Sequence, residues 1–306
     1  MGDRIDVHAH YLPPAYRQAL IDTGHEQPDG FPILPEWSPA EHVAAMDRLG
    51  IDRSLLSVSS PGVHLDGGVA ETVDRCRAVN LEGRAAVADH PDRFGLLASL
   101  PLPDIDAALA EVAVADDDLD ADGFVLMTNV GGRYLADEAF APLWRALDDR
   151  AALVLLHPTS PVCWHQTSLG RPRPMLEFLF DTTRAVVDLV LGGVLRRHAG
   201  VRVVVPHAGA VLPIVAERVA AFARFLAPDE DVARTLGRLH YDLAGHVTPE
   251  SLAALRSIAD VGHLHYGSDY PFTPEPVAAA AHERLDAVDP DLLASLGANT
   301  RRLLEP

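Results

Sequence analysis

The sequence predicts an α/β fold, a (β/α)8 TIM barrel in which each of eight parallel strands is followed by a helix. Short apolar runs rich in Val and Leu alternate with helical patterns along the whole chain, and such runs are typical of parallel strands buried on both faces. The chain has 306 residues, and a barrel of this kind commonly fills about 250 residues as one domain. We therefore expect one barrel domain over residues 1–306. The eight runs are residues 4–7, 54–58, 95–99, 123–127, 153–156, 202–205, 239–243 and 264–266.

Helix start signals fall between these runs. Ser38 and Glu41 form a capping box with Pro at the first helical position, and Gly50 marks the far end of that helix. Asp181 can cap a further helix over residues 182–198.

Two connections are long, and both follow strands. They span residues 11–37 after strand 1 and residues 158–180 after strand 5. The carboxyl ends of the strands are where barrel active sites lie, so these loops are expected to shape a site.

Composition excludes several classes of function. The net charge is −19 with a pI near 5.0, which argues against nucleic-acid binding because that needs a basic face. No run approaches the roughly 20 apolar residues of a membrane span, and the first residues lack a basic start followed by an apolar run. Cys76 and Cys163 are too few for a disulfide scaffold. We expect a cytoplasmic enzyme that binds neither membranes nor nucleic acid.

Metal-binding side chains follow four of the predicted strands. His8 and His10 end strand 1, His157 ends strand 5, His207 ends strand 6 and Asp269 ends strand 8. The carboxyl ends of parallel strands meet at one end of a barrel, so these groups should lie together. Imidazole and carboxylate ligands suit Zn²⁺ or Mn²⁺. The sequence contains no lysine, so no carboxylated lysine can bridge two ions, and we expect one divalent ion, Zn²⁺ before Mn²⁺.

Several motifs resemble the metal-dependent amidohydrolase superfamily nearly end to end. Within it, the chain is similar to the decarboxylase branch, which includes 2-amino-3-carboxymuconate-6-semialdehyde decarboxylase and the salicylate- and resorcylate-type decarboxylases. Residues 180–185 particularly resemble the 6-methylsalicylate decarboxylase-like members. The other motifs are residues 5–10, 46–51, 90–95, 157–158, 192–194, 207–209, 267–272 and 297–299.

The resemblance implies roles for individual residues at the metal. It makes His8, His10, His157 and Asp269 the metal ligands and His207 the catalytic histidine beside them. For Asp269 two roles stay open: as an ionised ligand it anchors the metal, and as a proton carrier it delivers a proton to the substrate carbon, and the two can coexist in a loosely bound carboxylate.

The resemblance also implies substrate contacts and a homodimer. Arg218 matches an arginine that crosses a dimer interface to hold the substrate carboxylate, and Phe272 matches an aromatic pocket wall. Trp164, in the loop after strand 5, can form a pocket wall or serve packing alone. His246, after strand 7, can face the pocket or be solvated.

In one respect the chain departs from the pattern. The semialdehyde decarboxylase has an arginine in the loop after strand 1, whereas residues 30–37 contain none here. Arg17, Arg171 and Arg173 are candidates to replace it.

The leading hypothesis is a metal-dependent, non-oxidative decarboxylase of an aromatic, hydroxybenzoate-like or dienoic carboxylic acid. The metal would bind the carboxylate and a neighbouring hydroxyl or amino group, a proton would reach the ring from Asp269 or through His207, and CO₂ would leave. The alternative is a mononuclear metal-dependent hydrolase of an amide, lactone or related bond. A hydratase and a non-catalytic binding protein on the same barrel also remain open.

Overall fold

Eight parallel strands form the central sheet of the computed structural model, which describes residues 4–65, 67–245 and 247–305. Each strand pairs with its neighbours in chain order, and each overlaps one of the eight apolar runs, so the predicted barrel is confirmed. The strands are β1 Ile5–His10, β2 Arg53–Ser57, β3 Phe94–Ala98, β4 Gly123–Met127, β5 Leu153–His157, β6 Arg202–Val205, β7 His240–Asp242 and β8 Leu264–His265.

The barrel closes where the end of β8 meets β1. Val7 N donates to Tyr266 O at 3.0 Å, and the buried carboxylate of Asp6 accepts from Ser268 N at 3.1 Å. The two segments approach closely at Gly267, where an added Cβ would lie 3.0 Å from the Cβ of His8. Closure therefore places the residues that follow β8 beside the His-x-His pair of β1.

Helices surround the sheet and also occupy both long connections. They are α1 Pro14–Asp22, α2 Pro39–Leu49, α3 Val69–Asp89, α4 Ile105–Asp117, α5 Ala141–Asp148, α6 Trp164–Thr167, α7 Glu177–Leu191, α8 Val194–Arg197, α9 Leu212–Leu226, α10 Val232–Arg238, α11 Pro249–Leu255, α12 Glu275–Val288 and α13 Pro290–Leu304. None of the helices in the described ranges combines the length and the apolar composition that a membrane span requires.

The helix signals are only partly correct. Ser38 caps α2 by accepting from Glu41 N at 3.2 Å, and Gly50 ends it with φ of 65°. The predicted cap at Asp181 is wrong, because α7 begins four residues earlier and stops at Leu191. Gly193, with φ of 68°, separates α7 from α8. The Asp181 carboxylate lies inside α7 and is used for tertiary contacts described below.

A small apolar cluster packs the barrel beneath the predicted ligands. Leu153 and Leu155 belong to this cluster, and they share one face of β5 with His157 because side chains alternate along a strand. Leu303 of α13 joins the same cluster. The interior is thus filled with side chains, and the polar groups stand on this layer at the carboxyl end of the strands.

Candidate active site

Four predicted ligands converge at the carboxyl end of the barrel. One ligand atom from each of His8, His10, His157 and Asp269 lies within 4.8 Å of all the others, and the three histidines are buried. Around a single ion with bonds of about 2.1 Å, ligand atoms lie about 3.4 Å apart in a tetrahedral site and at most about 4.2 Å apart in any other. The four groups therefore suit one divalent metal ion after a small contraction.

Hydrogen bonds orient two of the histidine rings toward this centre. His157 Nδ1 lies 2.7 Å from the carbonyl oxygen of Pro158, and His10 Nδ1 lies 3.3 Å from the carbonyl oxygen of Ser57. A carbonyl only accepts, so Nδ1 of His157 carries the proton and its Nε2 lone pair is left for a metal. The Ser57 carbonyl favours the same tautomer for His10, whose Nε2 lies 3.1 Å from Asp269 Oδ1, so a bound ion would replace the proton in that contact.

Asp242 orients the third ring, His8, and sequence reasoning missed it. Its buried carboxylate lies 2.8 Å from His8 Nδ1 and accepts from the backbone N–H groups of His207 and Ala244, each at 2.9 Å. Asp242 is the last residue of β7, and a polar residue at a strand end is the same signal that identified the ligands. His8 Nε2 is buried and has no hydrogen-bond partner among the described residues, which fits a ligand atom.

The carboxylate of Asp242 also changes the charge of His8. Burial alone would lower the pKa of His8, but the nearby carboxylate outweighs burial and raises that pKa to about 9. Burial would in turn raise the pKa of Asp242, and His8 holds it below its ordinary value. A bound ion must therefore displace a proton from His8 near neutral pH.

Asp269 is held in a left-handed backbone conformation with φ of 58°. Its Oδ1 lies 3.1 Å from His10 Nε2 and 3.7 Å from His8 Nε2, while Oδ2 accepts from Thr273 Oγ1 at 3.1 Å. Burial would raise the pKa of Asp269, but the hydrogen bond from His10 and the neighbouring His207 hold it well below its usual range. Asp269 is thus an ionised carboxylate, as a metal ligand requires.

His207 stands beside Asp269 on a strained turn after β6. His207, Ala208 and Ala210 have φ values of 56°, 54° and 56°, a conformation that costs residues other than glycine energy. His207 Nε2 lies 3.7 Å from Asp269 Oδ2, too far for a full hydrogen bond, so their interaction is chiefly electrostatic. The ionised Asp269 favours a proton on Nε2, the nitrogen that faces the site.

A cavity of about 730 Å³ opens over these groups and includes His157, His207 and Asp269 in its lining. Its walls are mostly apolar, and its described lining contains no arginine. Phe272 lines this cavity, and its ring centroid lies 5.7 Å from that of His10. Other apolar lining residues are Phe31, Met175, Phe178, Leu179, Ile214 and Val277.

Trp164 lines a different cavity, of about 440 Å³, that adjoins the first. Its ring lies under the guanidinium of Arg173, with Cζ 4.1 Å from the ring centroid. Asp29 lines both cavities. Arg17 donates instead to the carbonyl oxygen of Pro35 at 3.1 Å and so holds its own loop.

Arg218 lies on the exposed surface of α9. Its Cζ is 5.2 Å from the ring centroid of Phe222, and it does not line the large cavity. This chain alone does not bring Arg218 to the ligands. His246 lies outside the described residues.

Comparison with known proteins matches most of the chain. The Amidohydro_2 family model, described as amidohydrolase, matches residues 5–305. Decarboxylase yanB of Aspergillus niger is 36% identical over 292 residues, which cover 89% of this chain and 78% of that protein. The 6-methylsalicylic acid decarboxylase acuB of Aspergillus aculeatus is 34% identical over 282 residues, covering 89% and 85%.

Solved structures share the whole architecture. A protein described as amidohydrolase II superimposes with a TM-score of 0.94 at 35% identity, with 99% of each chain covered. A manganese-bound dihydroxybenzoic acid decarboxylase of Polaromonas has the same fold, with a TM-score of 0.84 at 19% identity, covering 99% of this chain and 97% of that one.

Proposed function

The chain belongs to the amidohydrolase family, in its decarboxylase branch, and we propose that it releases CO₂ from a hydroxybenzoate-like acid without oxidation. One observation carries the proposal: His8, His10, His157 and Asp269 converge below an apolar cavity, with His207 beside them. The named relatives are decarboxylases, which favours this activity over hydrolysis of an amide or lactone.

We propose Zn²⁺ as the ion, with Mn²⁺ as the alternative that the Polaromonas enzyme binds. Three imidazoles and one carboxylate suit either ion, and the unpartnered Nε2 of His8 supports a metal at this position. When bound, the ion would supply the positive charge that holds the substrate carboxylate and an adjacent hydroxyl oxygen.

The proton is handled by His207 and Asp269. His207 holds it on Nε2, 3.7 Å from Asp269 Oδ2, and we propose that one of the two delivers it to the ring carbon bearing the carboxylate. Because the pKa of Asp269 is held low, Asp269 carries this proton only briefly. The new C–H bond takes up the proton, and the electron pair of the breaking C–C bond returns to the ring as CO₂ leaves.

The cavity favours an acid with a single carboxylate. The described lining contains no arginine, and the cations proposed for this site, the ion and Arg218 of a dimer partner, would both be held by the first carboxylate. A second carboxylate would therefore be buried unpaired, which is costly. The apolar walls suit a ring with a small alkyl group instead. We therefore propose a salicylate with an alkyl substituent, the class of compound named for acuB.

We further propose a homodimer through α9. Ile214, Phe222 and Phe225 of this helix are 74%, 52% and 85% exposed, and together with Arg218 they follow helical spacing on one face. Exposed apolar patches mark interaction surfaces, and Ile214 also lines the cavity. In such a dimer, Arg218 of the partner would supply a cation for the substrate carboxylate.

A substrate panel tests the proposed activity. Protein loaded with one Zn²⁺ or Mn²⁺ per chain is incubated with 6-methylsalicylate, 2,6-dihydroxybenzoate, a carboxymuconate-like acid, an anilide and an aryl lactone. We expect CO₂ release that is fastest from 6-methylsalicylate and is lost in Asp269→Ala. Hydrolysis of the anilide or lactone without CO₂ release from any acid would instead establish the hydrolase.

A further inference from the structure

A buried carboxylate on α7 organises the loops that follow β4 and β5. Asp181 is fully buried and accepts hydrogen bonds from Asn129 Nδ2 at 2.9 Å, from Tyr134 OH at 2.5 Å and from Thr128 Oγ1. Three donors compensate a buried carboxylate, which explains why Asp181 is tolerated inside the protein. None of the steps proposed above uses it.

Thr128 connects this carboxylate to the metal ligand His157. Thr128 N donates to the carbonyl oxygen of His157 at 2.9 Å, and Thr128 Oγ1 accepts from Thr159 N at 3.1 Å. A hydroxyl has one hydrogen, so its donation to Asp181 leaves the lone pairs of Oγ1 for Thr159.

The carbonyl that fixes the tautomer of His157 lies between these two contacts. Thr128 holds residues 157 and 159, and the oxygen of the intervening Pro158 accepts from His157 Nδ1 at 2.7 Å. A change in the path of this turn would move the Pro158 oxygen and turn the imidazole ring. The direction of the His157 Nε2 lone pair therefore depends on the Thr128 hydroxyl.

We propose that Thr128 and Asp181 are positioning residues for His157, which set the affinity of the site for its ion. The inference rests on the metal site of the proposed function and not on the decarboxylation step. Groups that orient a metal ligand typically contribute about 10-fold to 100-fold to metal affinity.

Four substitutions test the proposal. Thr128→Val and Asp181→Asn remove the contacts, Thr128→Ser keeps the hydroxyl, and Thr182→Val is the matched control. Thr182 is the next residue of α7, is fully buried, and has a hydroxyl without a partner among the described residues. The Zn²⁺ dissociation constant is measured by competition with a chromophoric chelator, and the visible spectrum of Co²⁺-loaded protein reports the ligand geometry.

We expect Thr128→Val and Asp181→Asn to weaken Zn²⁺ binding by about 10-fold to 100-fold and to change the Co²⁺ spectrum. The Zn²⁺ dissociation constants of Thr128→Ser and Thr182→Val should stay within about threefold of the parent value. A general loss of packing would not produce this difference between the two pairs of variants. A folded Thr128→Val protein with parental affinity and spectrum would overturn the proposal. Thr128→Ala decides the matter by the same criterion if the valine variant fails to fold.

The failure of the inference and the failure of the proposed function are distinguishable. A parent that binds no ion would refute both. A parent that binds the ion but decarboxylates none of the panel would refute the function alone, because the affinities of the Thr128 variants still test the positioning role.

Discussion

Replacing Asp242 with Asn separates two effects of its carboxylate on the proposed metal ligand His8. The carboxylate fixes the proton on His8 Nδ1 through a 2.8 Å contact, and it raises the pKa of His8 to about 9. The first effect strengthens metal binding, while the second makes a proton compete with the ion. Asn keeps one oxygen for the backbone N–H groups of His207 and Ala244, so the turn after β6 should persist.

The magnitude follows from the pKa. A ligand with a pKa of about 9 is half protonated at pH 9 and about 99% protonated at pH 7, so lowering the pH from 9 to 7 should weaken metal binding by about 50-fold. His10 and His157 add little competition, because burial lowers the pKa of both. Without the Asp242 charge, the pKa of His8 falls and most of this pH dependence should disappear.

The assay is chelator competition for Zn²⁺ at pH 7, 8 and 9, corrected for protonation of the chelator. The parent should gain about 50-fold in affinity over this range and release about one proton per ion at pH 7. The variant should be about 10-fold to 100-fold weaker than the parent at pH 9, with the two converging at pH 7. A parent whose affinity changes less than about threefold over this range would refute the reasoning.

Three other predictions concern catalysis, assembly and stability. His207→Asn should lower kcat by about 100-fold or more while leaving the Zn²⁺ dissociation constant within about threefold; equal losses of both would show that His207 is a ligand. Mixing Arg218→Ala protein with His157→Ala protein should restore about a quarter of parental activity. About half of the dimers would be hybrids, and each hybrid has one complete site out of two. Hybrid dimers that are verified and yet inactive would contradict the dimer proposal. Burial lowers the pKa of His240 to about 4 in the folded protein. Between pH 6.5 and pH 4 the imidazole is therefore protonated in the unfolded chain but not in the folded protein, and the free energy of unfolding falls as the pH is lowered through this range. Urea unfolding of the metal-free protein should show that His240→Asn loses about 3 kcal/mol less unfolding free energy than the parent between pH 6.5 and pH 4. An equal loss in both proteins would refute this role of His240.

The strands and the convergence of the four proposed metal ligands could be predicted because both depend on local pattern. A parallel barrel strand is buried on both faces, so runs such as residues 153–156 are apolar throughout. Chain topology then brings His157 and Asp269 to the same end of the barrel, however far apart they lie in sequence. No side-chain geometry was needed for that step.

The residues that support the ligands depend on tertiary packing. Asp242 ends the three-residue strand β7, and only its contact with His8 distinguishes it from other polar residues. The sequence around Asp181 predicts a helix cap, but its carboxylate instead accepts hydrogen bonds from three donors in the region after β4. Which of the two cavities Trp164 lines depends on the conformation of its loop, and no local sequence pattern predicts that conformation.

Proton NMR of the reaction in D₂O tests the central claim most directly. Protein holding one ion per chain is incubated with 6-methylsalicylate, and the aromatic product is followed as it forms. We predict a phenol with one deuterium on the carbon that carried the carboxylate, and no such product from Asp269→Ala. Unchanged 6-methylsalicylate and unchanged hydroxybenzoates, in the presence of fully metal-loaded protein, would contradict a decarboxylase at this site.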